Sequence, residues 1–246
     1  MFRHKSNLAT GLALIALFTT SAMADPDKGD KSAMHSAAAA AADNQDVFRG
    51  RVGFEDNSPD IIKRRIGTGD PVAGKDKSQL CQGCHGEEGI SVEPLIPKLA
   101  GQYAGYIAKQ VHDFQNGFRS NPIMNGMAAT VSDEDLPDIA AYFASRNKMK
   151  GDGSSNALGK KLFLNGDMTR MMVACINCHG VNGKGKTPDN YVFPVIGGQQ
   201  KEYLRGQLIN FRQGDRSNSP GGVMNIITQK LTNAEIEALA AYISGL

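Results

Sequence analysis

Apolar side chains recur at helical spacing in matching stretches of the chain, and no convincing run of alternating apolar and polar residues predicts a strand. Tyr103, Tyr106, Ile107, Val111 and Phe114 share one helical face, and Tyr203, Leu204, Leu208 and Phe211 repeat it about a hundred residues later. Leu136, Ile139, Ala140 and Phe143 form a second stripe, answered by Ile236, Leu239, Ala240 and Ile243. These stripes follow Ser132-x-x-Asp135 and Thr232-x-x-Glu235, patterns of the capping box that opens a helix, the first in a weaker form. Pro137 deletes one early backbone hydrogen bond, so the first turn there is expected to be irregular. A further helix is expected from Asp70-Pro71 into Cys81, with a counterpart starting near Ser154 and stopping at Asn165-Gly166. The pattern predicts an all-α chain.

The recurrence is an internal repeat. Pro97-Lys98-Leu99-Ala100-Gly101-Gln102 matches Pro194-Val195-Ile196-Gly197-Gly198-Gln199, and Tyr106, Gln110, Phe114, Gly117, Arg119 and Asn121 match Tyr203, Gln207, Phe211, Gly214, Arg216 and Asn218, all at an offset of 97. Met124, Ser132 and Tyr142 match Met224, Thr232 and Tyr242 at an offset of 100. Two tandem domains of three main helices follow, at residues 69–146 and 156–246, with the polar, glycine- and serine-rich segment 147–155 as linker.

The N-terminus differs from the rest. Arg3, His4 and Lys5 precede an apolar stretch from Leu8 to Phe18 and then Ala22-Met23-Ala24, the pattern of a secretory signal peptide over residues 1–24. The apolar stretch is too short for a stable membrane span, which needs about 20 residues. Export places the protein in the periplasm. Cleavage removes Arg3 and Lys5 but no acid, so 27 basic against 25 acidic residues become 25 against 25, which argues against a nucleic-acid partner. The extension at 25–68 is expected to be partly disordered, mobile up to about Gln45, with Val47, Phe48, Val52, Phe54, Ile61, Ile62 and Ile66 packing in part on the domain that follows.

Four cysteines in an exported protein ordinarily suggest disulfides. Here all four lie in Cys81-Gln82-Gly83-Cys84-His85 and Cys175-Ile176-Asn177-Cys178-His179, two copies of C-x-x-C-H, the attachment signature of haem c. Cys81 and Cys84, like Cys175 and Cys178, can each form a thioether to one vinyl group of a single haem, and His85 and His179 are then held beneath the irons as proximal ligands. A zinc ribbon needs its cysteine pairs about 15–20 residues apart, far closer than these, and a thioredoxin-type pair needs a βαβ setting that the chain does not offer. Two covalent haem c groups, each at the centre of a small domain's core, are the expected cofactors.

For the sixth ligand the second copy offers no further histidine, and every cysteine is used. Met124 and Met224 each stand 8 positions before the residue that caps the third helix, in the loop that precedes it. Met127 competes with Met124, because it lies 97 before Met224, but it stands only 5 before Ser132, so Met124 and Met224 are the expected sixth ligands. His112 falls among helix residues and reads as packed or solvent-facing; Met168, Met171 and Met172 read as loop or packing residues.

These elements together resemble the dihaem cytochrome c4 family, each half similar to a class I cytochrome c, over about Asp70 to Leu246. The resemblance implies that the carbonyls of Pro97 and Pro194 accept hydrogen bonds from His85 and His179. It also implies a close crossing of the first and third helices at Gly74 and Gly159, with Tyr142 and Tyr242 nearby. The segment from Asp25 to Thr68 is longer than the family pattern. The expected function is a non-enzymatic electron carrier between redox protein partners. A quinol-oxidising complex or dehydrogenase would be the donor and a terminal oxidase or reductase the acceptor. A cytochrome subunit of a dehydrogenase such as a flavocytochrome, and a dihaem peroxidase, are the alternatives.

Overall fold

A computed structural model describes residues 59–186 and 191–246; the expected signal peptide, the stretch expected to be mobile up to Gln45, and Val47, Phe48, Val52 and Phe54 lie outside the described residues. Every regular element described is helical, apart from one isolated bridge between Asp167 and Met172. Helix α1 (Pro59–Ile66) is the end of the N-terminal extension. The first copy then comprises α2 (Pro71–Lys77), α3 (Gln79–His85), α4 (Ala104–Gln115), α5 (Pro122–Ala128) and α6 (Leu136–Ser145). The second comprises α7 (Ala157–Asn165), a 3-10 turn at Met168–Arg170, α8 (Ile176–His179), α9 (Lys201–Gln213), a 3-10 turn at Pro220–Gly222, α10 (Val223–Thr228) and α11 (Asn233–Ser244).

The caps act as the residue types dictate. Asp70 accepts from Val72 N at 2.8 Å while Pro71 fills a first-turn position whose N–H would have no partner, and Asn156 accepts from Gly159 N at 3.0 Å. The expected helix does not end at Cys81: it bends at Ser78 and continues as α3 to His85. Thr232 forms a complete capping box with Glu235, and α11 begins directly after it. In the first copy Ser132 Oγ also accepts from Asp135 N at 3.1 Å, yet regular helix begins only at Leu136. Pro137 in the first turn accounts for the late start, since it brings no backbone N–H to that turn.

Each copy closes its core where its first helix meets its third. Ile107, Ile139, Ala140, Tyr142 and Phe143 are buried together in one, and Leu162, Phe163, Leu204, Ile236, Leu239 and Ile243 in the other. The crossing is close enough to exclude any side chain. A Cβ on Gly74 would lie 1.9 Å from Asp138 O and 3.0 Å from Tyr142 Cβ; one on Gly159 would lie 2.0 Å from Ala238 O and 2.9 Å from Tyr242 Cβ. The glycines sit where the resemblance implied.

The segment 147–155 is not a loose tether. Met149 is completely buried with Tyr103 and Val195, one residue from each copy, and Gly151 lies against the backbone of Gly245. Of the extension, Ile66 packs on the first core, and the buried Arg65 donates from Nη2 to Arg146 O at 3.3 Å.

Ion pairs pin the start of each third helix to the rest of its copy. Lys77 Nζ lies 2.7 Å from Asp138 and 2.9 Å from Asp135, and Arg170 bridges Asp167 at 2.7 Å and Glu235 at 2.6 Å. Hydrogen bonds from Thr169 and Arg170 hold the Asp167 carboxyl at about 2, and Lys77 and Arg170 lower those of Asp135, Asp138 and Glu235. Folded values below the unfolded ones mean that these pairs stabilise the fold above about pH 4 and cease to do so as pH falls toward 2. Melting measured between pH 5 and 2 is expected to show a falling midpoint, and Arg170→Ala is expected to flatten part of that fall.

Candidate functional site

The bend at Ser78 sets α3 so that Cys81, Cys84 and His85 stand at i, i+3 and i+4 on one face. The single turn of α8 gives Cys178 and His179 the same relation to Cys175 at its N-cap. All four thiols are free of disulfides. Burial pushes the Cys175 thiol up to about 11 and raises that of Cys81.

Both histidines are buried, and each is held at one nitrogen. His85 Nδ1 lies 2.8 Å from Pro97 O and His179 Nδ1 2.9 Å from Pro194 O. A carbonyl oxygen can only accept, so Nδ1 carries the proton and Nε2 keeps its lone pair. Burial lowers the pKa of both rings and favours the neutral form, although the carbonyl bonds work the other way. A neutral imidazole anchored at Nδ1 with Nε2 unprotonated is the form a metal requires.

Among the described residues no three His, Cys, Asp or Glu side chains converge on a point where a metal ion could sit. The donor set fits haem c instead: two thiols to bond the porphyrin edge and one nitrogen for the iron.

Met124 and Met127 lie on the short helix α5, where a loop was expected, and Met224 on α10; all three are partly buried. Asn121 caps α5, accepting from Ile123 N at 3.1 Å and Met124 N at 3.0 Å. The neighbouring asparagines establish the correspondence between copies. Asn125 donates to Phe114 O at 2.7 Å and Arg119 O at 3.3 Å, and Asn225 donates to Phe211 O at 2.7 Å and Arg216 O at 2.8 Å. Equivalent anchors make Met124 the counterpart of Met224, and Met127 that of Ile227. The extra turn at Pro220–Gly222 accounts for the change of offset from 97 to 100. His112 is exposed, with Nδ1 3.0 Å from Gln115 Oε1; Met168 and Met171 are exposed, while Met172 is buried.

The two copies face each other about an approximate twofold relation. Arg119 donates to Gln110 Oε1 at 2.7 Å, Tyr203 OH at 3.0 Å and Gln207 Oε1 at 2.9 Å. Arg216 donates to Gln207 Oε1 at 2.7 Å, Tyr106 OH at 3.1 Å and Gln110 Oε1 at 3.0 Å. Burial disfavours an ionised Tyr203, but Arg119 and Arg216 outweigh it and lower its pKa. In the same network Lys109 pairs with Asp113, which also accepts from Asn218 Nδ2. These roles were not read from the sequence, although the constant offset of 97 already marked Gln110, Arg119, Gln207 and Arg216.

The fold and the duplicated site define a tandem of two c-type cytochrome domains. The cytochrome c family model matches residues 72–147 and 156–246. Cytochrome c4 of Pseudomonas aeruginosa is 42% identical over 181 residues, covering 72% of this chain and 89% of that protein. The crystal structure of reduced recombinant cytochrome c4 from Pseudomonas stutzeri matches with a TM-score of 0.66 and 41% identity, over 73% of this chain and 100% of that one. A thiosulfate dehydrogenase electron acceptor of Stutzerimonas stutzeri is 35% identical over 178 residues, covering 69% of this chain and 80% of that protein. The chain belongs to the cytochrome c4 family. It is a dihaem electron-transfer cytochrome with two covalently bound haem c groups. Among the described residues no helix is long and apolar enough to cross a membrane.

Proposed function

We propose that the chain is a periplasmic electron carrier, taking one electron per haem, and not an enzyme. Its haems would be attached through Cys81 and Cys84, and through Cys175 and Cys178. Axial ligation would come from His85 with Met124 and from His179 with Met224. Each haem supplies a reversible one-electron iron couple, and thioether ligation favours the ferrous state. The chain's own residues keep the proximal rings neutral and oriented, through the hydrogen bonds to Pro97 and Pro194. Held by His85 with Met124 and by His179 with Met224, neither iron would be left open to a substrate.

The observation that carries this reading is the matched pair of buried histidines, each anchored at Nδ1 in a duplicated setting. The N-terminal pattern of residues 1–24 and the chemistry of haem c attachment support the periplasm. A dehydrogenase as donor is supported by the relative named as electron acceptor of thiosulfate dehydrogenase; a quinol-oxidising complex is the other donor class, and a terminal oxidase or reductase the acceptor.

Reductive titration of the holoprotein is expected to take up two electrons per chain, and the untreated ferrous protein to bind no carbon monoxide. Carbon monoxide binding before any substitution would favour the peroxidase reading. Stopped-flow reduction by a thiosulfate-oxidising dehydrogenase and by a quinol-oxidising complex would separate the donors.

A further inference from the structure

Gln102 and Gln199 end the repeated Pro-x-(Leu/Ile)-x-Gly-Gln element, and both are buried in the seam, at 4% and 5% exposure. Neither amide serves its own copy alone. Gln199 Oε1 accepts from Lys98 N at 2.7 Å, and its Nε2 donates to Lys98 O at 2.9 Å. Gln102 Oε1 accepts from Val195 N at 3.0 Å, and its Nε2 donates to Val195 O at 2.8 Å. Each Oε1 also accepts from the next backbone N–H of its own chain segment, Gln200 N at 3.0 Å and Tyr103 N at 3.1 Å. Two N–H donors at one end and a carbonyl at the other leave no freedom to exchange the amide's oxygen and nitrogen.

Lys98 N belongs to the same peptide group as Pro97 O, which accepts from His85; Val195 N belongs to that of Pro194 O, which accepts from His179. Each proximal histidine is thus joined through one peptide unit to a glutamine of the other copy. An acceptor on the N–H of an amide draws electron density onto its carbonyl oxygen and makes that oxygen a stronger acceptor. The Nδ1–H bond then strengthens, and the imidazole becomes a stronger donor to iron.

We propose that Gln199 and Gln102 are positioning residues that act across the seam, each polarising the peptide that holds the other copy's proximal histidine, so that docking of the two halves sets the donor strength of both. This rests on the reading of His85 and His179 as the iron ligands.

The test uses reduced, diamagnetic holoprotein, with the Nδ1–H resonances of both histidines and the two haem potentials as readouts. Gln199→Leu removes the acceptor from Lys98 N. It is expected to move the His85 Nδ1–H signal upfield and to raise the potential of the first haem, with His179 and the second haem unmoved. Gln102→Leu is expected to give the mirror result. Should a leucine variant yield no holoprotein, Gln199→Asn decides: it keeps the amide but shortens its reach by one methylene, so the bond to Lys98 N weakens and the His85 signal is expected to move upfield while that of His179 stays. Equal movement of both haems, movement of the substituted copy's own histidine, or no movement would overturn the relay alone. Absence of ring-current-shifted signals from the carbon-bound protons of either imidazole in the unaltered protein would bring down the ligand assignment and the proposal with it.

Discussion

Met224→Ala is expected to open one iron to carbon monoxide, with one molecule bound per chain, while the other haem stays closed. The weak far-red band that methionine sulfur produces with ferric iron should fall to half. The potential of the altered haem should drop by on the order of 0.1–0.3 V, a fraction of the range that axial ligands span. Met124→Ala is expected to give the same result for the first haem. Covalent attachment should survive in both, because the four cysteines are untouched. Met127→Ala is the control. Its side chain is partly buried, and its loss should cost about 1–2 kcal/mol of packing with no change in the far-red band. A preserved band in Met124→Ala with loss in Met127→Ala would reassign the first haem and leave the second unaffected.

Gly159→Ala is expected to damage the second copy severely for a change of one methyl group. The added Cβ would meet Ala238 O at 2.0 Å, and a backbone carbonyl inside a helix cannot turn aside as a flexible side chain can. Separation of α7 from α11 would loosen Phe163 and Tyr242, whose rings stack edge to face at 5.5 Å. The expected cost is about 3 kcal/mol, which lowers the melting of a domain of this size by roughly 12–24 °C. Gly74→Ala should do the same to the first copy through Asp138 O. Circular dichroism with the Soret signal would follow the loss. An unshifted midpoint would mean that the crossing can relax at no cost.

Both predictions draw on features legible along the chain. The C-x-x-C-H motifs, the caps at Asp70 and Thr232 and the stripes from Ile107 to Phe114 and from Ile236 to Ile243 are local signals. Spacings of three or four residues encode them, and the helix backbone converts those spacings directly into shared faces. Duplication made them clearer, since each feature could be checked against its counterpart.

Other features needed the tertiary structure. The change of offset between Asn121 and Met124 was visible and the distance to the cap paired Met124 with Met224, but the anchors behind that pairing, Asn125 and Asn225 bonded to equivalent carbonyls, were not. The segment around Met149 reads as a polar linker because its composition is polar, yet that one apolar side chain fills the space between Tyr103 and Val195. Gln102 and Gln199 were visible as a repeat and silent as to partner. Their amides bond backbone 93 and 101 residues away, a separation that no helical period encodes and that exists only once two finished domains meet. Local periodicity therefore determined the class of fold and the haem-binding motifs, while packing between the copies decided which side chains reach across from one haem site to the other.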